Sequence, residues 1–183
     1  MYYLPDDMKF FREKTKGHTV IMGRKTFESL PDGPLKNRKN IIITHSDIEI
    51  PGAIVLNSLD AALWHTGYFN KGLRESESDE EIFIIGGASI YKQAIEAGIV
   101  DCLYITEIDA IPAEADAFFP EIPADYDVTY ATCHDKDEKH PVSFSFVTYE
   151  RVKLNNRIKK KKWSCYDSTF LLYLVLTIII LCS

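Results

Sequence analysis

Ile82-Phe83-Ile84-Ile85-Gly86-Gly87-Ala88-Ser89-Ile90-Tyr91 reads as a buried strand, a glycine break and the opening of a helix. Four apolar residues in a row are too few for a helix and lack the alternation of a half-exposed strand. A strand covered on both faces remains. The glycine pair ends it and lets backbone approach a neighbour more closely than any Cβ would allow. The same grammar occurs upstream in Val20-Ile21-Met22-Gly23-Arg24-Lys25-Thr26-Phe27-Glu28-Ser29. There a short apolar strand over 19–22 turns at Gly23, and Arg24 or Thr26 starts a short helix through Leu30.

Working outward, residues 5–16 carry proline early and Asp6 and Asp7 in the first turn, where the helix dipole favours acids, and Gly17 closes the helix. Met8, Phe11 and Thr15 are expected on its buried face. Segments 40–44 and 53–56 read as further buried strands, 59–65 as a helix and 66–80 as a polar, mobile loop. A strand over 81–85, a helix over 88–97 and a strand over 102–108 follow. Strands alternating with helices predict an α/β fold whose twisted sheet is mainly parallel, flanked by helices and joined by right-handed crossovers. After Asp109 the pattern changes. Strands over 126–130 and 142–151 flank a polar turn, so a C-terminal antiparallel hairpin finishes the sheet.

The chain's 183 residues suffice for one core, and 46% hydrophobic with 26% charged residues is ordinary for a globular protein. Six of the 21 basic and one of the 27 acidic side chains lie from Lys153 onward, so residues 1–152 hold 15 basic against 26 acidic groups, a formal −11. A body this acidic is a poor general binder of nucleic acid, which needs clustered Lys or Arg. Cys102, Cys133, Cys165 and Cys182 show neither C-x-x-C spacing nor a histidine at ligand distance, so no metal site and reduced thiols are expected. No basic-then-apolar leader is visible, and a cytoplasmic monomer is expected. Residues 153–183 have a different composition: Lys159-Lys160-Lys161-Lys162, then an apolar run over 170–182. That run of 13 residues falls short of the roughly 20 that cross a bilayer, though 163–169 extend it and the lysines suit a cytoplasmic flank. The domain is expected to end at 152, with 153–183 disordered, tail-anchoring or a product of read-through. Membrane contact is expected only through that tail.

Several residues invite chemistry. Asp7 sits at a helix start, where an acid is usually an N-terminal charge, yet Leu4, Met8, Phe10 and Phe11 surround it with apolar bulk. A carboxylate so placed has its charged form disfavoured and can work near neutral pH. Arg24, Lys25 and Thr26 follow a strand and open a helix, where free N–H groups attract phosphate. Gly86 and Gly87 stand at an equivalent turn, although a double glycine is common at turns of no special function. Arg38 precedes a strand, a position that is usually just solvated, and Thr106 is by itself a β-branched strand former.

Taken in order over about residues 2–152, these phrases resemble the dihydrofolate reductase family. The resemblance implies NADPH-dependent reduction of 7,8-dihydrofolate to 5,6,7,8-tetrahydrofolate. It implies that Asp7, in Leu4-Pro5-Asp6-Asp7, is the ionisable group at the pterin and promotes protonation of a substrate nitrogen, with Thr106 hydrogen-bonding it. Tyr2 (where the family usually has Trp), Met8, Phe11, Leu30, Leu35 and Ile85 then line the pterin and benzoyl pocket. Arg38 pairs in bidentate fashion with the substrate's glutamate carboxylate, a geometry suited to guanidinium. For the cofactor, the resemblance implies Arg24, Lys25 and Thr26 at one phosphate turn. It puts Gly86, Gly87, Ala88, Ser89, Ile90 and Tyr91 at the other, with a cis bond between the glycines. Thr44, His45 and Ser89 stand near the 2′-phosphate, where His45 adds charge only when protonated.

The family carries a central strand and a loop that closes over nicotinamide ahead of the Leu-Pro-x-Asp phrase. The first strand is therefore expected to be missing here, and Met1 to be an internal methionine of a longer or misread frame. Two other readings stay open. One is a riboflavin-pathway reductase of the same fold, against which Asp7 and Arg38 speak. The other is a remnant that binds nucleotide or antifolate without turnover.

Overall fold

The computed structural model describes residues 3–70, 81–110, 117–152 and 177–181; Tyr2 and the expected mobile loop beyond residue 70 lie outside them. Helix α1 (Pro5–Thr15) begins with Pro at its first position and both acids in its first turn. Its buried residues are Asp7, Phe11 and Thr15, whereas Met8 is 41% exposed. The expected stripe of Met8, Phe11 and Thr15 is thus corrected at its first member. Residues four apart stack along one helix face, and at the top of this face a carboxylate turns inward because an acceptable partner awaits it.

Strand β1 (Thr19–Gly23) leads into α2 (Arg24–Glu28), followed by β2 (Lys39–Ile43), β3 (Ile54–Leu56), α3 (Leu59–Thr66) and a 3₁₀ turn (Tyr68–Asn70). Then come β4 (Ile82–Ile84), α4 (Ala88–Glu96), β5 (Cys102–Ile108), β6 (Tyr126–His134), β7 (Phe144–Arg151) and β8 (Thr177–Leu181). The ends of α3 show why the chain stops where it does. Ser58 Oγ accepts the Ala61 N–H at 3.1 Å, and Gly67 at φ 75° provides the left-handed cap.

One eight-stranded sheet runs β3-β2-β1-β4-β8-β5-β7-β6. Strands β1 to β4 are mutually parallel, β6 and β7 form the expected antiparallel hairpin, and β7 pairs antiparallel with β5. Consecutive residues of β1 serve opposite cores. Val20 and Met22 pack with Phe11, Ile42 and Phe83 beneath α1. Ile21 packs with Ile41, Ile84 and Leu103 against α3 and α4. Covering on both faces is why these strands read as unbroken apolar runs. Each such side chain contributes about 1.5–3 kcal/mol by leaving water.

Two expectations change. The tail was expected to lie wholly outside the domain, but Thr177–Leu181 forms β8 between β4 and β5, antiparallel to both. An apolar run of this length suits a doubly covered strand as well as a membrane segment, and periodicity cannot separate them. The cysteines are not uniformly reduced: Cys102 is a buried thiol outside any disulfide, whereas Cys133 is disulfide-bonded. Among the described residues no helix is long and apolar enough to cross a membrane.

Candidate active site

Asp7 is 2% exposed, and the Thr106 hydroxyl on β5 donates to its Oδ1 at 2.6 Å. Burial pushes this carboxyl up to about 6, and the Thr106 hydrogen bond opposes the shift only in part. Asp6 next to it meets a different fate. Its side chain is half exposed, 3.6 Å from Nε2 of the buried His140, whose Nδ1 contacts Asp137 at 2.8 Å. Adjacent acids at one helix start are therefore separated by environment: Asp6 faces the hairpin turn, and Asp7 faces the core.

The carboxyl ends of β2, β1 and β4 lie side by side, the place where open α/β sheets bind ligands. Gly23 N–H donates to the Gly86 carbonyl at 2.7 Å, which holds the start of α2 against the glycine pair. The Gly86–Gly87 bond is cis, and Gly86 has φ 128°, a conformation that strains any residue with a Cβ. A Cβ there would meet Thr26 Oγ1 at 3.0 Å and Cγ2 at 3.3 Å; one on Gly87 would meet Thr26 Oγ1 at 3.2 Å. Thr26 is thus packed onto both glycines, and the backbone stays bare. Gly87 is also the N-cap of α4. The first amides of a helix have no intrahelical acceptor, so this turn presents donors and a positive dipole end. Ala88 and Ser89 lie at that end, whereas Ile90 and Tyr91 are buried in the core against α3 and β5.

Arg24 is exposed and already engaged. Its Nε donates to Glu28 Oε1 at 2.6 Å and its Nη1 to Ser46 Oγ at 2.9 Å. The Ser46 N–H in turn donates to Thr44 Oγ1 at 3.1 Å, which brings Thr44 into the same group. Lys25 and His45 are exposed nearby in the chain. Ser46 was not singled out by sequence. A hydroxyl beside two other polar residues gives no sign that it reaches a guanidinium 22 positions away.

Phe11, Ile85, Leu30 and Leu35 belong to one apolar cluster, the last two half-buried at its edge. Met8 does not join them. The Arg38 guanidinium lies 5.7 Å from the centre of the Phe11 ring, and its Nε donates to Thr15 Oγ1 at 2.7 Å. Two further bonds, to the Lys36 carbonyl at 2.9 Å and the Arg12 carbonyl at 3.3 Å, fix it at the rim of the cluster. Partial burial first, and then the neighbouring Arg12 charge, pull Arg38 below its usual range, but guanidinium keeps its proton in proteins. Arg12, also missed by sequence, doubles the positive charge at this rim. Among the described residues no cluster of His, Cys, Asp or Glu is arranged to hold a metal.

The site therefore combines a buried acid, an apolar cluster with a cationic rim, and a glycine cradle beside an arginine. A bare backbone cradle with helix-end donors and a guanidinium fits the pyrophosphate of a dinucleotide. The family model for dihydrofolate reductase matches residues 1–151. The dihydrofolate reductase of Bacillus subtilis is 38% identical over 152 residues, covering 82% of each chain. That of Neisseria gonorrhoeae is 39% identical over 153 residues, covering 81% of this chain and 84% of its own. The solved structure of dihydrofolate reductase from Enterococcus faecalis, complexed with NADP(H) and RAB-propyl, superposes with a TM-score of 0.68 at 33% identity. That superposition covers 82% of this chain and 83% of the other. By sequence and by fold, the chain belongs to the dihydrofolate reductase family.

Proposed function

We propose that this chain reduces 7,8-dihydrofolate to 5,6,7,8-tetrahydrofolate with NADPH. The observation that carries the reading is the Asp7–Thr106 pair, a buried acid with its carboxyl raised to about 6, set against the Phe11–Ile85 cluster. Reduction of a C=N bond places a hydride on carbon and a proton on nitrogen. When bound, NADPH supplies the hydride equivalent; the residues of this chain bind, orient and manage the proton. The Asp7 carboxyl hydrogen-bonds the N–H groups of the pterin edge. With its pKa near 6, part of the population stays protonated at neutral pH and can feed a proton toward the reducible nitrogen, directly or through a water or tautomer. Thr106 holds the carboxyl in that orientation. Phe11, Leu30, Leu35 and Ile85 wall off water around the reacting rings, and Arg38, with Arg12 beside it, receives the glutamate carboxylate. Arg24, Lys25, Thr26 and the cradle at Gly86–Ser89 hold the cofactor phosphates. Thr44, His45 and Ser46 flank the place where Arg24 distinguishes a 2′-phosphate.

The reactants are small molecules, and we read the protein as a monomer. Use of NADPH, an intracellular reductant, supports a cytoplasmic location. The acidic body leaves no general nucleic-acid surface. The test is loss of NADPH absorbance on addition of dihydrofolate to purified protein. Turnover that requires both reactants is expected. A folded protein that binds both yet reduces nothing overturns the reading and leaves a binding remnant.

A further inference from the structure

β4 and β5 do not pair with one another; both pair with β8. The consequence reaches the site, because Gly86 and Gly87 follow β4 while Thr106 lies on β5. The cofactor cradle and the proton-handling pair thus sit in two halves of one sheet, and among the described residues the strand that joins those halves comes from the C-terminal run. Adjacent strands stand about 4.8 Å apart, so β8 sets a spacing of roughly 10 Å between β4 and β5.

The geometry points to the β4–β5 slot as a strand-acceptor site, with Thr177–Leu181 as its intramolecular ligand. Resting on the reductase reading above, β8 is then a positioning element that unites the two half-sites. Three observations carry this. First, the slot has no tolerance for vacancy. Phe83, Ile84 and Leu103 are 0% exposed, and without β8 both facing edges would leave backbone N–H and C=O groups unpaired in an apolar interior. Second, the register fits the composition. Position 180 is opposite both Phe83 and Cys102, which belong to the core beneath α1. Position 179 is opposite both Ile84 and Leu103, which belong to the other core. An occupant must therefore be apolar at successive positions, and Ile178-Ile179-Ile180-Leu181 is. An alternating strand would put a polar residue into one of the cores.

Third, the chain can make the journey. β7 and β8 are both antiparallel to β5, hence parallel to each other, and such a crossover needs a dozen or more residues. Residues 153–176 supply 24. Loop-closure entropy grows only slowly with length, so a connection this long is not prohibitive. A segment paired in this slot is withdrawn from any bilayer, so docking and anchoring compete for the same five residues.

Two experiments on the full chain test this, neither requiring turnover. Cysteines at the register partners Tyr104 and Ile178 (Y104C with I178C) should form a disulfide on mild oxidation, because directly opposed Cα atoms lie within disulfide range. The pair shifted by one, Y104C with I179C, should not. Equal cross-linking of both pairs, or of neither, overturns the docking. Native-state hydrogen exchange should show protection at those amides of Ile82–Ile84 and of 102–105 that face β8 rather than β1 or β7. In the double variant Ile179→Lys with Ile180→Lys that protection and dihydrofolate turnover should both be lost. Protection that survives in the double variant, or capture of the unmodified chain on anionic vesicles with those amides exposed, overturns the proposal. Register-specific cross-linking in a protein that never reduces dihydrofolate would sink the reductase reading and leave the strand assignment standing. Undiminished turnover in the double variant would do the reverse.

Discussion

Replacing Asp7 by asparagine should slow reduction by orders of magnitude and, at neutral pH, relieve the fold of a burden. The folded carboxyl is raised from 3.8 to about 6, roughly two units, each equivalent to 1.36 kcal/mol. Because the folded state holds this proton more tightly than the unfolded chain, stability falls as pH rises from about 4 to about 6. Below that window both states are protonated and the group contributes nothing; above it the ionised carboxylate costs about 3 kcal/mol. Asparagine has no such window. Its side-chain oxygen can still accept the Thr106 hydroxyl, so the substitution leaves a constant offset from the buried amide plus a term that depends on pH.

The comparison to make is therefore a difference of differences. The stability of Asp7→Asn minus that of the parent should rise by about 3 kcal/mol between pH 3 and pH 8, whatever the offset. For a chain of this size that corresponds to roughly 6–12 °C in Tm. Unfolding in urea at a series of pH values reads it directly. Single-turnover reduction in the same variant should slow by about 10²–10⁴-fold, the usual contribution of a positioned acid, while NADPH affinity is unchanged because its grips lie elsewhere. A pH-independent stability difference would show that Asp7 is not the perturbed acid. Full turnover would remove it from the chemistry.

Thr106→Val deletes the hydrogen bond that lowers Asp7, so the carboxyl should titrate above 6 and the falling limb of the pH–rate profile should move to higher pH; an unmoved limb would detach Thr106 from the acid. Gly86→Ala should destabilise by on the order of 1–3 kcal/mol, because φ 128° and a Thr26 contact at 3.0 Å act together. Gly87→Ala, at φ −88° with one contact at 3.2 Å, should cost less, and denaturation alongside NADPH titration ranks the two; the opposite ranking contradicts the cradle geometry. Glu28→Gln releases Arg24 from its competing carboxylate, and since exposed pairs of this kind are worth about 0.3–0.5 kcal/mol, NADPH should bind roughly twofold tighter at low salt. Weaker binding would mean that Glu28 orients Arg24 rather than competing for it.

What the sequence discloses depends on how local the signal is. The strand–turn–helix phrases at 19–30 and 81–97 carry their own explanation: apolar runs, glycines where the backbone must turn, helix formers after them. Their observed elements differ from expectation only at the ends. The cradle is legible for the same reason, since it is made by consecutive residues. Pairings across long stretches are not. Thr106 lies 99 positions from Asp7, and only family resemblance connected them. Ser46 and Arg12 act through partners 22 and 26 positions away, and His140 meets Asp6 across the fold as well as its neighbour Asp137, while their residue types are ordinary for surface positions.

The two largest departures have one physical root. On α1 the pattern favours Met8 inward, yet the structure buries Asp7 at that level and leaves Met8 exposed. In the tail the pattern leaves disorder, an anchor or read-through open, yet the structure pairs Thr177–Leu181 into the sheet. Hydrophobicity ranks which residues can leave water, but not where a vacancy for them exists. The Thr106 hydroxyl makes a place for an acid, and two facing strand edges make a place for an apolar strand. A helix that buries a carboxylate while exposing a methionine one residue on violates the local rule at a desolvation cost, and such violations concentrate where function requires them. The same reasoning applied without any family resemblance would still single out Asp7, because a buried acid with one neutral donor is expensive for a protein that has no use for it.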